Sequence, residues 1–480
     1  VQAGAVGLAL VFLFMCFVYL LPGLASSLAL LIYTGIVLVI LNAFNVTLTL
    51  PGIAGIILGI GMAVDANVII FARVKEEMTK GKSVRNSLKA GFHKAMSAIV
   101  DGNVTTLIAA AVLWFRGSGS VKGFAQTLAI GIIVSMFTAL VITRMIVYAF
   151  YAVGIRSEKL YYRPKKPREP INFVGRKAIF FAISLILIAA GFGVAGYNAA
   201  RGNGAMNYSL EFQGGTSTNV TFDQDYTIDE IDAQIIPVVE KATGDHNVQA
   251  QKVEESNQII FKTSTLDLDA REALDQALVD NFQVDESLIT FENISSTVSS
   301  EMRTDAIVAV VIATVLMLLY IWFRFKDIRF ATSAVLALLH DVLIVALFYA
   351  VARISVGNTF IACILTIFGY SINATIVIFD RIREELKLAP KGQDLAYTVN
   401  KSITQTLTRS IYTSLTTFIT IAVLFVMGVS SIREFALPLM VGVVCGAYSS
   451  VCVTGPLWYV MKTKIGGKKK EAEKSGKKKK

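Results

Sequence analysis

Residues 61–77 read GMAVDANVIIFARVKEE, and residues 369–385 read GYSINATIVIFDRIREE. Small, apolar and charged positions agree between these two stretches at a constant offset of 308 residues. A second pair, GNVTTLIAAAVLWF at 102–115 and TSLTTFITIAVLFV at 413–426, agrees at an offset of 311 residues. Segments that recur in the same order indicate a duplicated structural unit. The sequence therefore predicts one helical module that occurs twice.

The composition is that of a membrane protein. Of the 480 residues, 54% are hydrophobic and 17% are charged, whereas soluble domains carry about 25% charged residues. Apolar runs of about 20 residues recur, and each is long enough to cross a hydrocarbon core of about 30 Å as a helix. The eleven runs are 3–21, 28–45, 52–72, 97–115, 124–150, 177–199, 304–323, 328–352, 357–379, 410–428 and 433–461. The predicted fold class is a polytopic α-helical membrane protein with two pseudo-symmetric bundles.

The two halves differ in length. Five helices make up the first half (1–155), and a basic linker follows at 156–176. The second half has a helix (177–199), a polar domain (200–303), five further helices (304–462) and a basic tail (463–480). By symmetry, the leading helix and polar domain of the first half are expected to be absent from this chain. A parallel duplication implies a pseudo-two-fold axis along the membrane normal, with function near the interface of the halves.

The charges predict a topology. Residues 204–300 contain 18 acidic and 4 basic residues, and the basic residues of the remainder cluster at 73–94, 156–177, 324–329, 381–401 and 462–480. With eleven crossings, these clusters all fall on one side, which the positive-inside rule identifies as the cytoplasm. We therefore expect a multi-pass protein of the bacterial plasma membrane with residues 200–303 outside. The lysine tail is interpreted as a topology anchor or a contact for anionic lipid, not as a nucleic-acid site.

The polar domain shows the order β-α-β-β-α-β, which is typical of a ferredoxin-like α+β fold. The predicted strands are 216–222, 246–254, 258–265 and 288–294, and the predicted helices are 228–243 and 267–281. Thr227 and Glu230 form a capping box that opens the first helix. The stretch LEFQGGT, with Glu211, Gly214 and Gly215, is interpreted as a structural tight turn between strands.

Charged residues within the apolar runs are the candidate functional residues, because a carboxylate near the bilayer centre costs about 2.5–3.5 kcal/mol on insertion scales. Asp65 lies eight residues before Arg73, which places it about 12 Å deep at a helical rise of about 1.5 Å per residue. Asp101 enters the fourth helix. Arg409 begins a polar stripe with Thr413, Thr416 and Thr420 at helical spacing.

Asp341, which follows His340, lies within the eighth helix. Asp65, Asp101, Arg409 and Asp341 together predict a water-accessible proton or cation path between the halves. The alternative is a set of buried polar links that fix helix packing. Asp380 adjoins Arg381 at the membrane edge and is expected to pair there.

Other motifs predict packing, and several catalytic motifs are absent. Gly55 and Gly59 form a GxxxG face, which indicates close helix packing or a surface on which the halves slide. The four cysteines have no paired spacing, so neither a disulfide framework nor a metal site is predicted. The sequence contains no Walker A loop, dinucleotide fingerprint or HExxH pair. We expect no enzyme activity and no cofactor; any work must come from an ion gradient of protons or sodium.

These motifs resemble the SecD and SecF protein-export proteins of the resistance–nodulation–division superfamily. Residues 49–77 resemble the SecD signature, and the segments that resemble SecF are 210–216, 338–344 (LLHDVLI), 369–382 and 404–417 (TQTLTRSIYTSLTT). The presence of both sets in one polypeptide is similar to the fused form. The motif residues are Asn67, Asn373, Ala374, Asp380, Arg381, Thr416 and Thr417.

The resemblance implies partnership with the SecYEG channel, with SecA and YajC beside it, and unfolded preproteins as clients. It also implies use of the proton-motive force. Asp65 and Arg409 match family positions linked to ion coupling. The sequence departs from the family at Ala374, where members commonly carry an acidic residue, and this puts a relay of two carboxylates in doubt.

Three functions follow as hypotheses. The leading one is a gradient-driven accessory of protein export with Asp65 as its ion-binding carboxylate. A small-molecule or lipid exporter of the same superfamily is one alternative, although a single external domain of about 100 residues is small for such a conduit. The other alternative is a scaffold that stabilises the export channel without acting as a motor, which Ala374 favours.

Overall fold

The computed structural model describes residues 2–465 except 47, 118, 163–167, 203, 246–247, 254–255, 391 and 429. Most of the predicted lysine tail and parts of the predicted strand 246–254 lie outside the described residues. The chain divides into two compact units. The helical unit contains Val1–Ala205, Ala309–Arg353 and Thr359–Lys480, and the α+β unit contains Met206–Val308 and Ile354–Asn358.

The helices account for most of the chain. In chain order they are α1 (Gln2–Ala43), α2 (Leu50–Thr79), α3 (Val84–Arg116), α4 (Gly119–Phe137), α5 (Thr143–Ala152), α6 (Glu158–Tyr161), α7 (Lys177–Ala200), α8 (Leu210–Gln213), α9 (Ile228–Glu230), α10 (Ile236–Thr243), α11 (Leu268–Phe282), α12 (Ser296–Phe325), α13 (Ile328–Ala352), α14 (Asn358–Leu388), α15 (Leu395–Met427), α16 (Ser430–Tyr448) and α17 (Gly455–Val460). Within the described residues, ten spans are long and apolar enough to cross a membrane, which makes this a multi-pass membrane protein.

The first of these spans is a helical hairpin. Helix α1 has 42 residues, and its backbone breaks at Leu20, where φ is 57°. Ser27 Oγ donates to the carbonyl oxygen of Phe12 at 3.4 Å, although a straight helix would separate these residues by about 22 Å. Pro22 supports the break because it has no amide hydrogen to donate. Helix α1 therefore contains the first two predicted crossings, and the ten spans contain the predicted eleven.

The duplication extends to an irregular feature of the last helix in each half. Helices α4 and α5 are joined by a π-helical turn at Thr138–Ile142, and α16 and α17 by a π-helical turn at Ser449–Thr454. The two turns begin 311 residues apart, which is the offset of the neighbouring repeat. A π turn holds one extra residue in a helix and is common at functional sites.

The α+β unit is built on a four-stranded antiparallel sheet. Its strands are β2 (Gly215–Thr221), β3 (Gln249–Lys252), β4 (Gln258–Thr263) and β5 (Ile289–Ile294), in the spatial order β3-β4-β2-β5. The short strands β1 (Asn207–Tyr208) and β6 (Ser355–Val356) pair in parallel in a separate sheet. The apolar core contains Val220 and Phe261 of the sheet, Ile235 and Val239 of the first helical segment, and Leu274 of α11.

This sheet order is that of the predicted ferredoxin-like fold, and the element bounds agree to within a few residues. Thr227 and Glu230 form the predicted reciprocal cap, because the Thr227 amide donates to Glu230 Oε2 at 2.8 Å and the Glu230 amide to Thr227 Oγ1 at 3.4 Å. The predicted turn at LEFQGGT is different in detail. Residues 210–213 form one helical turn, and Gly214 and Gly215, both at positive φ, lead into β2.

Candidate functional site

The centre of the helical unit is formed by α2 and α14, the two helices that carry the first repeated motif. The most apolar stretches of these two helices are 83% and 89% buried, whereas the corresponding value of no other described span exceeds 56%. Close contact is possible because glycines face the neighbouring helices. A Cβ atom on Gly61 would lie 2.7 Å from Thr420 Oγ1, and one on Gly102 would lie 2.0 Å from Asn373 Oδ1. The halves therefore meet at α2 with α15 and at α3 with α14.

Gly55 and Gly59 lie elsewhere. A Cβ atom on Gly55 would meet Thr127 of α4, and one on Gly59 would meet the Tyr33 hydroxyl of α1. Both contacts are within the first half, as expected of packing glycines. The glycine of α2 that faces the other half is Gly61.

Asp65 lies in the interface between the halves. The residue is 3% exposed, and its Oδ1 atom has no hydrogen-bond partner among the residues that the structure describes. The Thr416 hydroxyl lies beside the carboxylate. Asp65 lines a cavity with Tyr370, Asn373, Ala374, Arg409, Ser410, Ile69, Val377 and Thr413. The cavity measures about 10 Å³, which is room for about one water molecule.

Several polar atoms around this cavity are buried with no hydrogen-bond partner among the described residues. They include Asn373 Oδ1, Arg409 Nε and Ser410 Oγ. Buried polar groups are usually satisfied by protein or by ordered water. Their concentration beside Asp65 indicates a small hydrated site in an otherwise apolar interior.

The structure thus brings together Asp65, Asn373, Ala374, Arg409 and Thr416 from separate parts of the predicted set. Asp65 is the one carboxylate among the described residues that line the cavity. Arg409 is 4% exposed and also reaches Glu76 Oε1 at 4.0 Å. Asn67, two residues from Asp65, donates its amide to Ala63 O at 3.4 Å.

A symmetric ion-pair cluster lies about two to three turns further along α2 and α14. Arg73 Nη1 lies 3.0 Å from Glu384 Oε2, and the repeat counterparts Arg381 and Glu76 approach to 3.6 Å. Arg73 also lies 3.7 Å from Asp380. The predicted pairing of Asp380 with the adjoining Arg381 is therefore not observed; Asp380 instead pairs across the halves. Residue Glu76 was not predicted, although its match to Glu384 in the repeat is a usable signal.

Asp101 does not join the Asp65 cavity. Its Oδ2 lies 2.6 Å from Arg324 Nε, and its Oδ1 accepts from the Tyr320 hydroxyl at 2.9 Å. Both partners belong to α12, so Asp101 forms an ion pair between α3 and α12. This geometry matches the alternative interpretation of a polar link that fixes helix packing.

Asp341 forms a third, separate site. It is completely buried in α13 and accepts hydrogen bonds from Ser371 Oγ at 2.5 Å and Ser449 Oγ at 2.6 Å. His340 Nδ1 lies 2.9 Å from its other oxygen. All of these partners belong to the second half.

In the α+β unit, Glu211 and the paired glycines have structural roles. Glu211 Oε2 accepts from the Asn358 amide at 3.0 Å. A Cβ atom on Gly215 would lie 2.2 Å from Thr263 O, so only glycine fits at this position. The four cysteines are free, and no group of His, Cys, Asp and Glu in the described part of the chain is placed to hold a metal ion.

Known proteins are similar to this chain in sequence and in fold. The family described as "Protein export membrane protein SecD/SecF, C-terminal" matches residues 2–153 and 274–464. The protein translocase subunit SecDF of Bacillus subtilis (strain 168) is 35% identical, with 96% of this chain and 64% of that protein covered. For SecDF of Thermus thermophilus the identity is 35%, with 86% of this chain and 54% of that protein covered.

The fold agrees with that of a solved relative. The crystal structure of Thermus thermophilus SecDF, described as a translocon-associated membrane protein, has a TM-score of 0.84 at 35% identity and covers 96% of this chain and 62% of that chain. The chain thus spans 54% to 64% of the length of these relatives. It belongs to the SecDF family, in which the SecD and SecF protein-export membrane proteins are joined in one polypeptide.

Proposed function

We propose that this chain is the membrane part of an accessory of Sec protein export that is driven by a gradient of protons or sodium ions. Asp65 is the ion-binding carboxylate. The observation that carries the proposal is the buried Asp65 Oδ1, which has no hydrogen-bond partner in the described part of the chain, at a polar cavity between the halves. An intramembrane carboxylate that faces a cavity is typical of an ion pathway.

The surroundings of Asp65 explain how ion binding would move the halves. An ionised Asp65 is attracted to Arg409, which lines the same cavity on α15. Uptake of a proton removes that attraction and turns one oxygen into a donor. Because α2 and α15 are in van der Waals contact at Gly61 and Thr420, a change in this attraction acts directly on their packing. One elementary charge that crosses 100 mV supplies about 2.3 kcal/mol.

The partners follow from the family. SecDF proteins are named as translocase subunits, so we assign the SecYEG channel as the partner, with SecA, YajC and unfolded preproteins in the same assembly. The charge distribution supports a plasma-membrane location with the acidic α+β unit outside and the basic loops in the cytoplasm. The chain acts in this scheme as a translocation factor without a catalytic site.

A scaffold without motor activity is the second candidate, and Ala374 is the observation that favours it. Ala374 lines the Asp65 cavity at the position where the family commonly has an acid. A single carboxylate in the cavity halves the number of ion-binding groups that such a relay would use. In the scaffold, Asp65 and Arg409 would only hold the two halves together.

Preprotein import into inverted membrane vesicles with an imposed gradient separates these two candidates. The complete wild-type protein is compared with Asp65→Asn, which keeps size and polarity but cannot release a proton. We expect the gradient-dependent increment of import to disappear in Asp65→Asn, while co-purification with the channel is retained.

Asp101→Asn is the matched control, because it neutralises a buried carboxylate that lies outside the cavity. We expect this variant to lower the amount of folded protein but to keep the gradient-dependent increment. If wild type and Asp65→Asn increase preprotein import equally, with or without the gradient, the result would establish the scaffold function instead.

A further inference from the structure

The Asp341 site contains a chain of polar groups that the Asp65 mechanism does not use. Ser371 of α14 and Ser449 of the π turn both donate to Asp341 Oδ2. His340 connects the other oxygen to α7, because its Nε2 lies 2.9 Å from Ser184 Oγ. Four elements of the second half therefore meet at one carboxylate.

The electrostatic surroundings of Asp341 are close to neutral. His340 is its only ion-pair partner within the described residues. The other titratable groups that face the pair are on α16, where the Cys445 thiol interacts with Asp341 and the Tyr448 ring centroid lies 6.3 Å from that of His340. Among the residues that the structure describes, no arginine or lysine forms an ion pair with this carboxylate, in contrast to Asp101.

The first half serves as an internal control for the packing role of this site. ALLIYTG at 29–35 matches ALLHDVL at 337–343 at the repeat offset of 308. Tyr33 stands in place of Asp341 and Ile32 in place of His340, while Ala63 replaces Ser371. The first half nevertheless forms the same helix junction and the same π turn. Neither the junction nor the π turn therefore requires a buried carboxylate.

We propose that His340 and Asp341 form a second proton-binding site, separate from Asp65, in the second half of the membrane unit. His340 is the entry group, because its side chain is 10% exposed whereas Asp341 is fully buried. A proton taken up by the imidazole passes from Nδ1 to Asp341 Oδ1 along the 2.9 Å contact. Uptake of the proton raises the net charge of the site by one. The transfer then converts the imidazolium–carboxylate pair into a neutral imidazole and a carboxylic acid without a further change in charge.

The hydrogen bonds around Asp341 can accommodate both states. An ionised carboxylate accepts from His340, Ser371 and Ser449, which matches its acceptor capacity. A carboxylic acid protonated at Oδ1 donates to the Nδ1 atom that gave up the proton, and both serine hydroxyls keep their bonds to Oδ2.

The Asp65 cavity and the Asp341 site contact adjacent residues of one helix, α14. On α14, Tyr370 lines the Asp65 cavity and Ser371 donates to Asp341. A proton at either site therefore acts on α14. This coupling rests on the proposed function, whereas proton binding at Asp341 does not.

Infrared difference spectroscopy of the full-length protein in lipid bilayers tests the site. Spectra are recorded as the pH is stepped from about 8 to about 5, the range in which histidine titrates. The wild type is compared with Asp341→Asn, Asp65→Asn and the double variant. We expect a carboxylic-acid carbonyl band that is present in wild type and in Asp65→Asn, and absent from Asp341→Asn and the double variant.

Two further variants guard against misfolding of Asp341→Asn. Ser449→Ala removes one donor to the carboxylate and should increase the fraction of carboxylic acid at any given pH. His340→Gln should slow hydrogen–deuterium exchange of the band at least tenfold. A wild-type spectrum without a pH-dependent band at Asp341, or one that neither variant changes, overturns the proposal and leaves Asp341 as a fixed structural link.

The infrared experiment and the vesicle import experiment together separate this proposal from the proposed function. A band that depends on Asp341, together with wild-type export by Asp65→Asn, would support the second site and reject the role of Asp65. Loss of gradient-driven export in Asp65→Asn without an Asp341 band would do the reverse.

Discussion

Arg73 of α2 forms an ion pair with Glu384 of α14 at 3.0 Å, and the repeat supplies an equivalent pair. Arg381 approaches Glu76 at 3.6 Å, so each half supplies one arginine and one glutamate to the other. The duplicated motif is thus also the contact between its two copies. The ion pairs fix the register of α2 against α14 at one end, while the Asp65 cavity lies further along the same interface.

Removal of Arg73 is predicted to destabilise the helical unit strongly. The Arg73 side chain is 6% exposed and contacts Glu76, Asp380 and Glu384. Arg73→Met would remove one ion pair each from Glu76 and Glu384 and leave Asp380 with no ion-pair partner among the described residues, at an expected cost of about 3 kcal/mol. The free energy of unfolding of the purified protein in denaturant measures the effect.

Lys401→Met is the control for this prediction. Lys401 pairs with Glu385 but is 38% exposed, so its loss should cost at most about 1 kcal/mol. A second variant, Asp380→Asn in the Arg73→Met protein, should recover part of the loss because it removes the carboxylate that Arg73→Met leaves unpaired. Equal costs for Arg73→Met and Lys401→Met would contradict the structural role of the cluster.

Gly61→Ala is predicted to push the two halves apart. Its Cβ atom would lie 2.7 Å from Thr420 Oγ1 and 3.1 Å from the Thr417 backbone, and overpacking of this kind costs about 1–3 kcal/mol. Gly35→Ala is the matched control, since nothing lies within 4 Å of the added atom. Thermal unfolding should show a lower Tm for Gly61→Ala and an unchanged or higher Tm for Gly35→Ala. The reverse order would show that the halves do not meet at Gly61.

The hairpin in α1 predicts a new disulfide. Cys16 Sγ and Ser27 Oγ are 3.9 Å apart, whereas an unbroken helix would place these residues about 16 Å apart. Under mild oxidation, Ser27→Cys should therefore cross-link to Cys16, and mass spectrometry of the proteolysed protein should detect the linked peptides. The control Cys16→Ser/Ser27→Cys should yield none. Failure to cross-link under conditions that oxidise other thiols would mean that α1 is not folded back.

Asp275 of α11 predicts a pH dependence in the α+β unit. Its pKa is raised above the ordinary value of 3.8 by burial and by the carboxylates of Glu286 and Glu272, and its Oδ1 has no partner. The folded state thus binds this proton more tightly than the unfolded state does. Local stability should therefore fall as the pH rises from about 3.8 through the raised pKa.

Hydrogen exchange of the α11 amides as a function of pH measures this effect. In Asp275→Asn, protection should be greater than in wild type at neutral pH and equal to it below the ordinary pKa. Asp280→Asn, on the same helix, is the control and should leave the profile unchanged. If amide protection in Asp275→Asn depends on pH as it does in the wild type, ionisation of Asp275 does not destabilise the folded unit.

Much of the architecture could be predicted from the sequence because it depends on local patterns. Apolar run length predicted the crossings, and alternation with turn residues predicted the ferredoxin-like order. The repeat led us to expect function near the interface of the halves, and Asp65 and Asn373, at equivalent positions of α2 and α14, line one cavity there.

The parts that could not be predicted depend on distant partners or small backbone changes. Asp101 pairs with Arg324, 223 residues away, and no pattern near Asp101 indicates that partner. Strand β6 has two residues and joins β1 only through tertiary contact. A π turn adds one residue to a helix without changing its apolar character, so hydropathy does not reveal it.

The π turn in the last helix of each half has an evolutionary consequence. An insertion shared by both copies at one alignment position is most simply inherited from a single ancestral module. The carboxylates differ between the copies, because Asp65 is aligned with Asn373 and Asp341 is aligned with Tyr33. The π turn therefore predates the gene duplication, whereas Asp65 and Asp341 differ between the copies because the copies diverged after it.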